Sequence, residues 1–335
     1  MIFQLLMQQG WTLPDMKRIF RYALLLVVPL FAISANGAPM AYSVNSDGLD
    51  SATTDGLYTI DLTTGVDQRK GTLFTGISTP LDTEGLAIAP DGILWGVDDD
   101  SLKLFPINKD TGGISFTKQV PLKGFSTGGG NDFGMTFSCD NTLYVSTVRT
   151  QSLYRVDQTD GSSQVVGSAG ALGVNISAIA AFGNPTRLYG LGNGQFQDGS
   201  TDSPDLYSID PDTGITTLIG PLGAEADAYN QGGLAFDELG GLWAITDRGI
   251  INNTLANLPS QILSIDVNTG KATLIGKTTE VGFESLAIAS PGACDPNVDV
   301  LVTDVGIPTL SPAGRLFTIL VLLLAGMATL RRTFS

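Results

Sequence analysis

Short segments of alternating apolar and polar residues recur along the middle of the chain, and each ends in a turn that closes with glycine. The five copies are GLYTIDLTTG (56–65), KLFPINKDTG (103–112), SLYRVDQTDG (152–161), DLYSIDPDTG (205–214) and QILSIDVNTG (261–270). A period of two indicates β-strands, because successive side chains of a strand point to opposite faces. Asp and Gly suit the hairpin that follows each strand, so we interpret them as turn residues rather than calcium ligands.

A second segment alternates with the first and carries a more continuous apolar run. Its copies are EGLAIAPDGILWGV (84–97), FGMTFSCDNTLYVS (133–146), SAIAAFGNPTRLYGL (177–191), GGLAFDELGGLWAI (232–245) and ESLAIA (284–289). Together the two segments give four antiparallel strands in roughly 50 residues, a repeat length typical of propellers. Radial repetition of such a unit predicts an all-β fold, a five-bladed β-propeller of four-stranded antiparallel blades, over residues 38–290.

The two ends of the repeat region are incomplete in complementary ways. The N-terminal part lacks the GLAIA-type strand, whereas the C-terminal part ends with such a strand at 284–289. We therefore predict that N- and C-terminal strands share one blade and close the ring, since an open ring would expose strand edges. Residues 291–306 are then expected to be a linker.

Two further apolar runs lie outside the repeats. The segment MKRIFRYALLLVVPLFAISANGA, which starts at Met16, combines a basic start, an apolar stretch and small residues, as secretory signal peptides do. We expect residues 1–37 to be a signal peptide, with translation starting at Met16. Residues 316–330 are expected to form a transmembrane helix of roughly 22 Å, which is short for a bilayer core of about 30 Å.

The C-terminal segment combines a motif, an apolar run and a basic end. Ile307-Pro308-Thr309-Leu310 is followed by a small-residue spacer, the apolar run and the pair Arg331 and Arg332. Residues 307–335 thereby resemble the IPTL-type C-terminal sorting domain, which is similar to the tails that exosortases of Gram-negative bacteria process. The chain departs from that family at Ala313-Gly314, where Trp-Gly is usual.

The resemblance implies a route for the protein. It implies an exosortase-type processing enzyme as partner, at least transient anchoring in the inner membrane, and delivery to the cell envelope, the surface or the outside. Arg331 and Arg332 are expected to act as the membrane stop on the cytoplasmic side. A plain C-terminal membrane anchor is the alternative interpretation of the same residues.

Charge and composition exclude several classes of function. The chain of 335 residues has a formal net charge of −15, and residues 39–310 hold 12 basic and 32 acidic residues. Such a domain repels phosphate backbones, so nucleic acid is not expected as a partner. The absence of histidine excludes Ser–His–Asp and Cys–His catalytic systems. Cys139 and Cys294 are too few for a multi-cysteine zinc site, but they are candidates for one disulfide.

Three carboxylates are the candidate chemistry of the ring. If the GLAIA-type strand lines the central channel, Glu84, Asp132 and Glu284 enter three successive blades on the face with the long loops. Their oxygens could bind calcium or another divalent cation, as in the propeller hydrolases and lactonases that this layout resembles. A metal-dependent hydrolase or lactonase is therefore the alternative function. The first interpretation has no cofactor and no catalytic residue: an exported binding or scaffold protein with an unknown protein or glycan ligand.

Overall fold

The computed structural model describes residues 39–48, 55–73, 82–127, 130–196, 198–252, 254–289, 291 and 294. The expected signal peptide, sorting motif, transmembrane helix and arginine pair lie outside these residues, as does nearly all of the expected linker. Within the described residues, no helix is long and apolar enough to cross a membrane. The helical structure they contain is a single 3₁₀ turn at Phe116–Lys118.

The described residues form 21 strands, numbered here in chain order. They are β1 (Met40–Val44), β2 (Gly56–Asp61), β3 (Asp67–Thr72), β4 (Thr83–Ile88), β5 (Leu94–Asp98), β6 (Lys103–Ile107), β7 (Val120–Pro121), β8 (Phe133–Phe137), β9 (Leu143–Thr147), β10 (Ser152–Val156), β11 (Ser163–Val165), β12 (Ile176–Phe182), β13 (Arg187–Gly192), β14 (Asp205–Ile209), β15 (Thr216–Pro221), β16 (Gly232–Phe236), β17 (Leu242–Thr246), β18 (Ile250–Ile251), β19 (Thr254–Leu255), β20 (Gln261–Ile265) and β21 (Ala272–Lys277).

These strands form a five-bladed propeller, as the repeat predicts. Four blades are four-stranded sheets with the orders β4-β5-β6-β7, β8-β9-β10-β11, β12-β13-β14-β15 and β16-β17-β20-β21. Neighbouring strands within each blade are antiparallel, and the hairpin β18-β19 is inserted between β17 and β20. The remaining sheet, β1-β2-β3, supplies three strands of the fifth blade.

The fifth blade is completed from the other end of the chain. Tyr42 of β1 and Ala287 exchange two backbone hydrogen bonds, with N···O distances of 2.7 and 2.9 Å. The Ser43 hydroxyl donates to the carbonyl oxygen of Ser285, and the backbone N–H of Val44 donates to the Ser285 hydroxyl at 3.2 Å. The segment 284–289 therefore pairs with β1, and the two ends of the repeat region share one blade.

The inner strands pack closely around the central channel, because glycines permit the approach. A side-chain carbon at Gly134 of β8 would collide with the backbone of Ala178, and one at Gly233 of β16 would collide with the backbone of Leu286. Small spaces of about 10 Å³ and about 30 Å³ remain between the inner strands, which is room for one or two waters. The channel is therefore a packed core with a mouth, not an open pore.

The recurring Asp and Asn residues of the hairpins hold the turns. A side-chain oxygen of each accepts the backbone N–H two positions further on, at 2.7–2.9 Å; the residues are Asp61, Asn108, Asp157, Asp210 and Asp266. This pattern is an Asx turn, in which the side chain replaces a backbone acceptor. Interpreting these residues as turn residues agrees with their observed contacts.

One disulfide ties the end of the repeat region to the ring. Cys139, in the turn between β8 and β9, is bonded to Cys294, with an S–S distance of 2.13 Å and a Cα–Cα distance of 5.3 Å. The bond spans 155 residues of chain. Closing so long a loop restricts the unfolded chain, which stabilises the folded one.

Candidate metal centre

One face of the propeller, here called the loop face, gathers the starts of the inner strands and the ends of the second strands. Antiparallel pairing puts these ends together: Thr83 pairs with Asp98, Phe133 with Thr147 and Gly232 with Thr246. The longest loops on this face lie between β13 and β14 and between β17 and β20. Loops on a rigid scaffold are the usual place for binding residues.

Five carboxylates, here called the acidic cluster, converge on the loop face at the mouth of the channel. Asp82, Glu84 and Glu284 each present one carboxylate oxygen within 4.8 Å of the others, and Glu84, Asp99 and Asp132 form a second such group. The cluster contains all three residues that the sequence singled out. Glu84 joins the two groups, and Asp82 and Asp99 are additional members.

The strands and the loops before them position these side chains. Glu84 lies on β4 and Glu284 at the start of the segment that completes the fifth blade; their side chains are buried, with 9% and 3% exposure. The Ser46 hydroxyl donates a hydrogen bond to Glu284. Asp132 directly precedes β8 with a φ of 44°, a left-handed conformation that costs a non-glycine residue about 1–2 kcal/mol. The Gln231 side chain donates a hydrogen bond to Asp132.

The carboxylates of the acidic cluster repel one another. Burial raises the pKa of Glu84 well above its usual value, and the charges of Asp132, Asp82 and Asp99 raise it further. Burial, followed by the charge of Glu84, raises the pKa of Glu284 in the same way. Burial raises the pKa of Asp132 to about 6 and that of Asp82 to about 7, and in both the charge of Asp99 is the next contribution. Every named charge acting on these four groups is negative.

A sixth carboxylate beside the cluster has an oxygen without a partner. Asp247, which follows β17, has no exposed surface, and its Oδ1 accepts the backbone N–H of Gly249 at 3.0 Å. Its Oδ2 has no hydrogen-bond partner among the described residues. Burial and the charge of Asp47 raise the pKa of Asp247 to about 7, and Asp247 in turn raises the pKa of Glu284. A buried acceptor without a donor is destabilising, and a cation would satisfy it.

None of the ion pairs between described residues includes a carboxylate of the acidic cluster or Asp247, although Arg248, which pairs with Asp227, directly follows Asp247. Lys123 pairs with Asp160, Arg155 with Asp212, and Arg248 and Lys277 both pair with Asp227. Basic side chains are therefore used to neutralise other carboxylates. The acidic cluster and Asp247 concentrate negative charge at one point of the loop face.

The ligand set fits a hard divalent cation. Ca²⁺ takes six to eight oxygen ligands at about 2.3–2.6 Å, so oxygens on opposite sides of the ion are about 4.8 Å apart. The carboxylate oxygens of each group lie within that spacing of one another. The chain has no histidine and its two cysteines form the disulfide, so the usual ligands of zinc and copper are not supplied.

A polar cleft adjoins the acidic cluster on the loop face. It encloses about 640 Å³, and Asp132 belongs both to the cluster and to the wall of the cleft. Its other lining residues include Asn175, Asn193, Gln195, Phe196, Asp202 and Gln231. Hydrogen bonds fix part of this wall, since the Asn175 amide donates to Asp202 at 2.8 Å and the backbone N–H of Asn252 donates to Gln195 at 2.9 Å.

Sequence reasoning missed Asp82, Asp99, Asp247 and the cleft. Asp82 lies two positions before Glu84, and Asp99 belongs to the acidic run 98–100, which begins at the last residue of β5. The sequence could have indicated Asp82 and Asp99, because both belong to loops expected on the same face as Glu84. Asp247 follows β17 as Asp99 follows β5, so aligning the blades by their second strands would have found it. The loops around the cleft differ from blade to blade and carry no repeat signal.

Comparisons with known proteins leave the function of this site open. No protein-family model and no curated protein matches the chain. Solved structures that resemble it include virginiamycin B lyase from Staphylococcus aureus (16% identity, 72% of this chain and 71% of that chain, TM-score 0.37). Others are a protein of unknown function from Bacteroides caccae (11% identity, 74% and 98%, TM-score 0.45) and the PQQ-bound aldose sugar dehydrogenase from Streptomyces coelicolor (17% identity, 65% and 74%, TM-score 0.40). Similarity at this level carries no argument about what this chain binds.

Proposed function

We propose that this protein is an exported β-propeller that holds a divalent cation, Ca²⁺, at the mouth of its channel and binds a protein or glycan of the cell envelope on the loop face. The observation that supports the cation is the convergence of five mutually repelling carboxylates beside the unpartnered Oδ2 of Asp247. Two positive charges at this point would remove the repulsion and satisfy that oxygen.

The cation would also join distant parts of the ring. Glu84 is the central ligand because it belongs to both groups of the acidic cluster, while Asp99 and Asp132 come from the two blades that follow the fifth. Glu284 comes from the segment that completes the fifth blade. One ion held by these side chains would bridge three adjacent blades and support ring closure as well as ligand binding.

Replacing both buried glutamates, Glu84→Gln and Glu284→Gln together, is expected to weaken Ca²⁺ binding by about 100-fold or more, because two ligand charges are lost while the shape is kept. The same variant, freed of metal, should be at least as stable as the wild type at pH 8, since burial and repulsion raise the pKa values of Glu84 and Glu284 and an amide neither ionises nor adds to that repulsion. Calorimetric titration with Ca²⁺ and thermal unfolding in EDTA measure the two effects.

The matched control is Asp91→Asn, in the turn between β4 and β5 on the opposite face. Asp91 Oδ1 accepts the backbone N–H of Ile93 at 3.0 Å, and an amide oxygen can accept the same bond. This variant should bind Ca²⁺ like the wild type. Equal Ca²⁺ affinity in the double variant and the wild type would contradict the proposed site.

A metal-dependent hydrolase or lactonase is the second candidate function. The observation in its favour is the position of Asp132, which lines the cleft while its carboxylate belongs to the acidic cluster. A cation there could polarise a carbonyl oxygen of a substrate in the cleft. Lactone hydrolysis that requires Ca²⁺ and disappears in Asp132→Asn would favour this function over binding alone.

We further propose that residues 307–335 act as an IPTL-type sorting tail and that the propeller reaches the envelope or surface after export through a signal peptide at 1–37. The motif, the apolar run and the arginine pair support this route. The Cys139–Cys294 disulfide also supports it, because such bonds persist in oxidising compartments outside the cytoplasm.

Changing Pro308→Ala or Thr309→Ala is expected to block removal of the tail while leaving the apolar run in the membrane, because neither residue lies in that run. Mass spectrometry of the C-terminus, in cells that hold a matching exosortase, measures the result. Arg331→Ser with Arg332→Ser is the contrasting variant, and unprocessed protein should then escape from the membrane fraction. If wild-type protein keeps Ser335 in these cells, the sorting-tail proposal is wrong and residues 307–335 are a plain membrane anchor.

A further inference from the structure

We infer that the cleft beside the acidic cluster binds a neutral polysaccharide chain. This inference rests on the proposed binding function and names its ligand class. The cleft lies on the loop face, and its volume of about 640 Å³ is within the range of sites that enclose a small ligand or a short part of a polymer. Its lining has three properties, each of which matches an uncharged sugar.

The first property is the number of amide side chains. Asn175, Asn193, Gln195, Asn230 and Gln231 all line the cleft. An amide presents a donor and an acceptor side by side, and a sugar hydroxyl both donates and accepts. Three of these amides are already held in place, because Gln151 donates to Asn175 at 2.9 Å, the backbone N–H of Asn252 donates to Gln195 at 2.9 Å and the Gln231 side chain donates to Asp132. Groups fixed before binding lose less entropy when the ligand arrives.

The second property is an acceptor that is left open. Asn193 is only 6% exposed, and its Oδ1 has no hydrogen-bond partner among the described residues. Its backbone is fixed, since its N–H donates to the carbonyl of Asn175 at 3.0 Å. A buried acceptor without a donor is unfavourable unless a ligand or water supplies one. A hydroxyl of a bound sugar would supply it once the Asn193 amide turns toward the cleft, because Oδ1 is shielded from solvent in this structure.

The third property is an exposed aromatic ring on a polar wall. Phe196 is 46% exposed, although phenylalanine is usually buried. A tight turn holds it there: its N–H donates to the carbonyl of Ser200, and the N–H of Gly199 donates to its carbonyl, both at 2.9 Å. The flat C–H face of a sugar ring can stack on such a ring, and its hydroxyls remain free for the neighbouring amides.

Charge selects a neutral ligand over an ionic one. Asp132, Asp198 and Asp202 line the cleft, and its described lining residues include no lysine or arginine. The carboxylates repel phosphate, sulfate and uronate groups. A cationic ligand would use acceptors alone, whereas the amides of this wall also offer N–H donors. Asn175 and Gln231 each already give one N–H, to Asp202 and Asp132, and keep the other. An uncharged polyhydroxylated chain uses both acceptors and donors.

Native gel electrophoresis in the presence of polysaccharide tests this inference. The probes are three neutral polymers (dextran, yeast mannan and arabinogalactan) and one anionic polymer (dextran sulfate). The full-length protein is run in a polyoxyethylene detergent, which carries no sugar, with saturating Ca²⁺ throughout. We expect at least one neutral polymer to retard the protein and dextran sulfate to have no effect.

Two variants locate the site, and a third serves as control. Phe196→Ala and Asn193→Ala are each expected to lower the apparent affinity by about tenfold, a loss typical of one stacking ring or one well-placed hydrogen bond. Ile215→Ala is the matched control, because Ile215 is also an exposed apolar residue, at 56%, but lies in the turn between β14 and β15 on the opposite face. It should leave the retardation unchanged.

Three results would overturn the inference: retardation by none of the neutral polymers, equal retardation by dextran sulfate, or equal retardation of the Phe196→Ala and Ile215→Ala variants. Calorimetric titration of the same preparation with Ca²⁺ alone keeps this outcome separate from that of the cation site. Ca²⁺ binding without retardation rejects the polysaccharide and leaves the cation site in place. Retardation without Ca²⁺ binding rejects the cation site and leaves the polysaccharide site in place.

Discussion

Deletion of residues 284–290 is expected to unfold the whole propeller rather than a single blade. The deletion removes the partner of β1 and exposes the inner strands on both sides of the gap, including β16. It also removes the buried side chain of Leu286, which alone contributes about 1.5–3 kcal/mol against a total stability of about 5–15 kcal/mol. Near-ultraviolet circular dichroism during urea unfolding should show no cooperative transition.

A deletion of equal length in the expected linker, residues 295–301, is the matched control. It leaves the closing segment, the disulfide and every described strand intact. Its unfolding should remain cooperative, with a midpoint close to that of the wild type. A cooperative transition of near wild-type midpoint in the 284–290 deletion would contradict a blade shared between the two ends.

Without a divalent cation, the propeller is expected to lose stability as the pH rises from 5 to 8. The pKa of Asp247 and that of Asp82 are each raised to about 7 in the folded protein, chiefly by burial, whereas an aspartate in the unfolded chain titrates near 4. Between these values the folded state binds more protons than the unfolded state, so the free energy of unfolding falls with rising pH. One pKa unit corresponds to about 1.4 kcal/mol, so ionisation of buried Asp247 alone is expected to lower the free energy of unfolding by a few kcal/mol.

Calcium should reverse this loss. At pH 8 Asp82 and Asp247, whose pKa values are about 7, are mostly ionised, and Ca²⁺ at 100 times its dissociation constant adds about 2.7 kcal/mol. At pH 5 protons compete with the ion, and the gain should be small. Turn aspartates such as Asp61 and Asp140, whose pKa values are lowered, titrate below this window and do not contribute to it.

Thermal unfolding at pH 5 and pH 8, in EDTA and in Ca²⁺, measures both effects. In EDTA we expect a melting temperature lower at pH 8 by roughly 10 °C, since each kcal/mol moves it by about 2–4 °C in a domain of this size. The Glu84→Gln, Glu284→Gln variant should show a smaller difference. Metal-free wild-type protein that is more stable at pH 8 than at pH 5 would contradict the electrostatic description of the cluster.

The fold could be predicted from the sequence because each blade repeats the same local pattern. Strands such as β2 and β10 recur at the same place in each repeat, and their turns are closed by Asp and Gly, which act through contacts only a few residues apart. The pairing of 284–289 with β1 joins residues from opposite ends of the repeat region. It too was predictable, because the N-terminal part of the fifth blade lacks the inner strand that the segment 284–289 supplies. Because the blades repeat, comparing short segments of the sequence is enough to predict this long-range pairing.

The candidate site was only partly predictable, because only some of its residues lie at repeated positions. Glu84 and Glu284 occupy equivalent positions in two repeats, so aligning the blades brings them together. Asp82 and Asp99 lie in loops, where the repeat no longer sets the direction of a side chain. Asp132 reaches the cluster through a left-handed backbone conformation, which the sequence does not predict. The cleft depends on loops from several blades, and each of these loops is different.

If the protein is exported as proposed, the shared blade sets the order of events. If the chain crosses a membrane from its N-terminus, β1 can pair early with β2, but its inner edge stays without a partner until Ser285, which lies 242 residues after Ser43, has followed it. Glu284 arrives in the same late segment, so the acidic cluster is incomplete for as long as the ring is open. A cation could meet the group of Glu84, Asp99 and Asp132 earlier, but the full acidic cluster would form only after translocation of the repeats is complete. The motif at 307–310 begins about twenty residues further on, so the ring would close while the tail still holds the chain at the membrane, and release would follow folding.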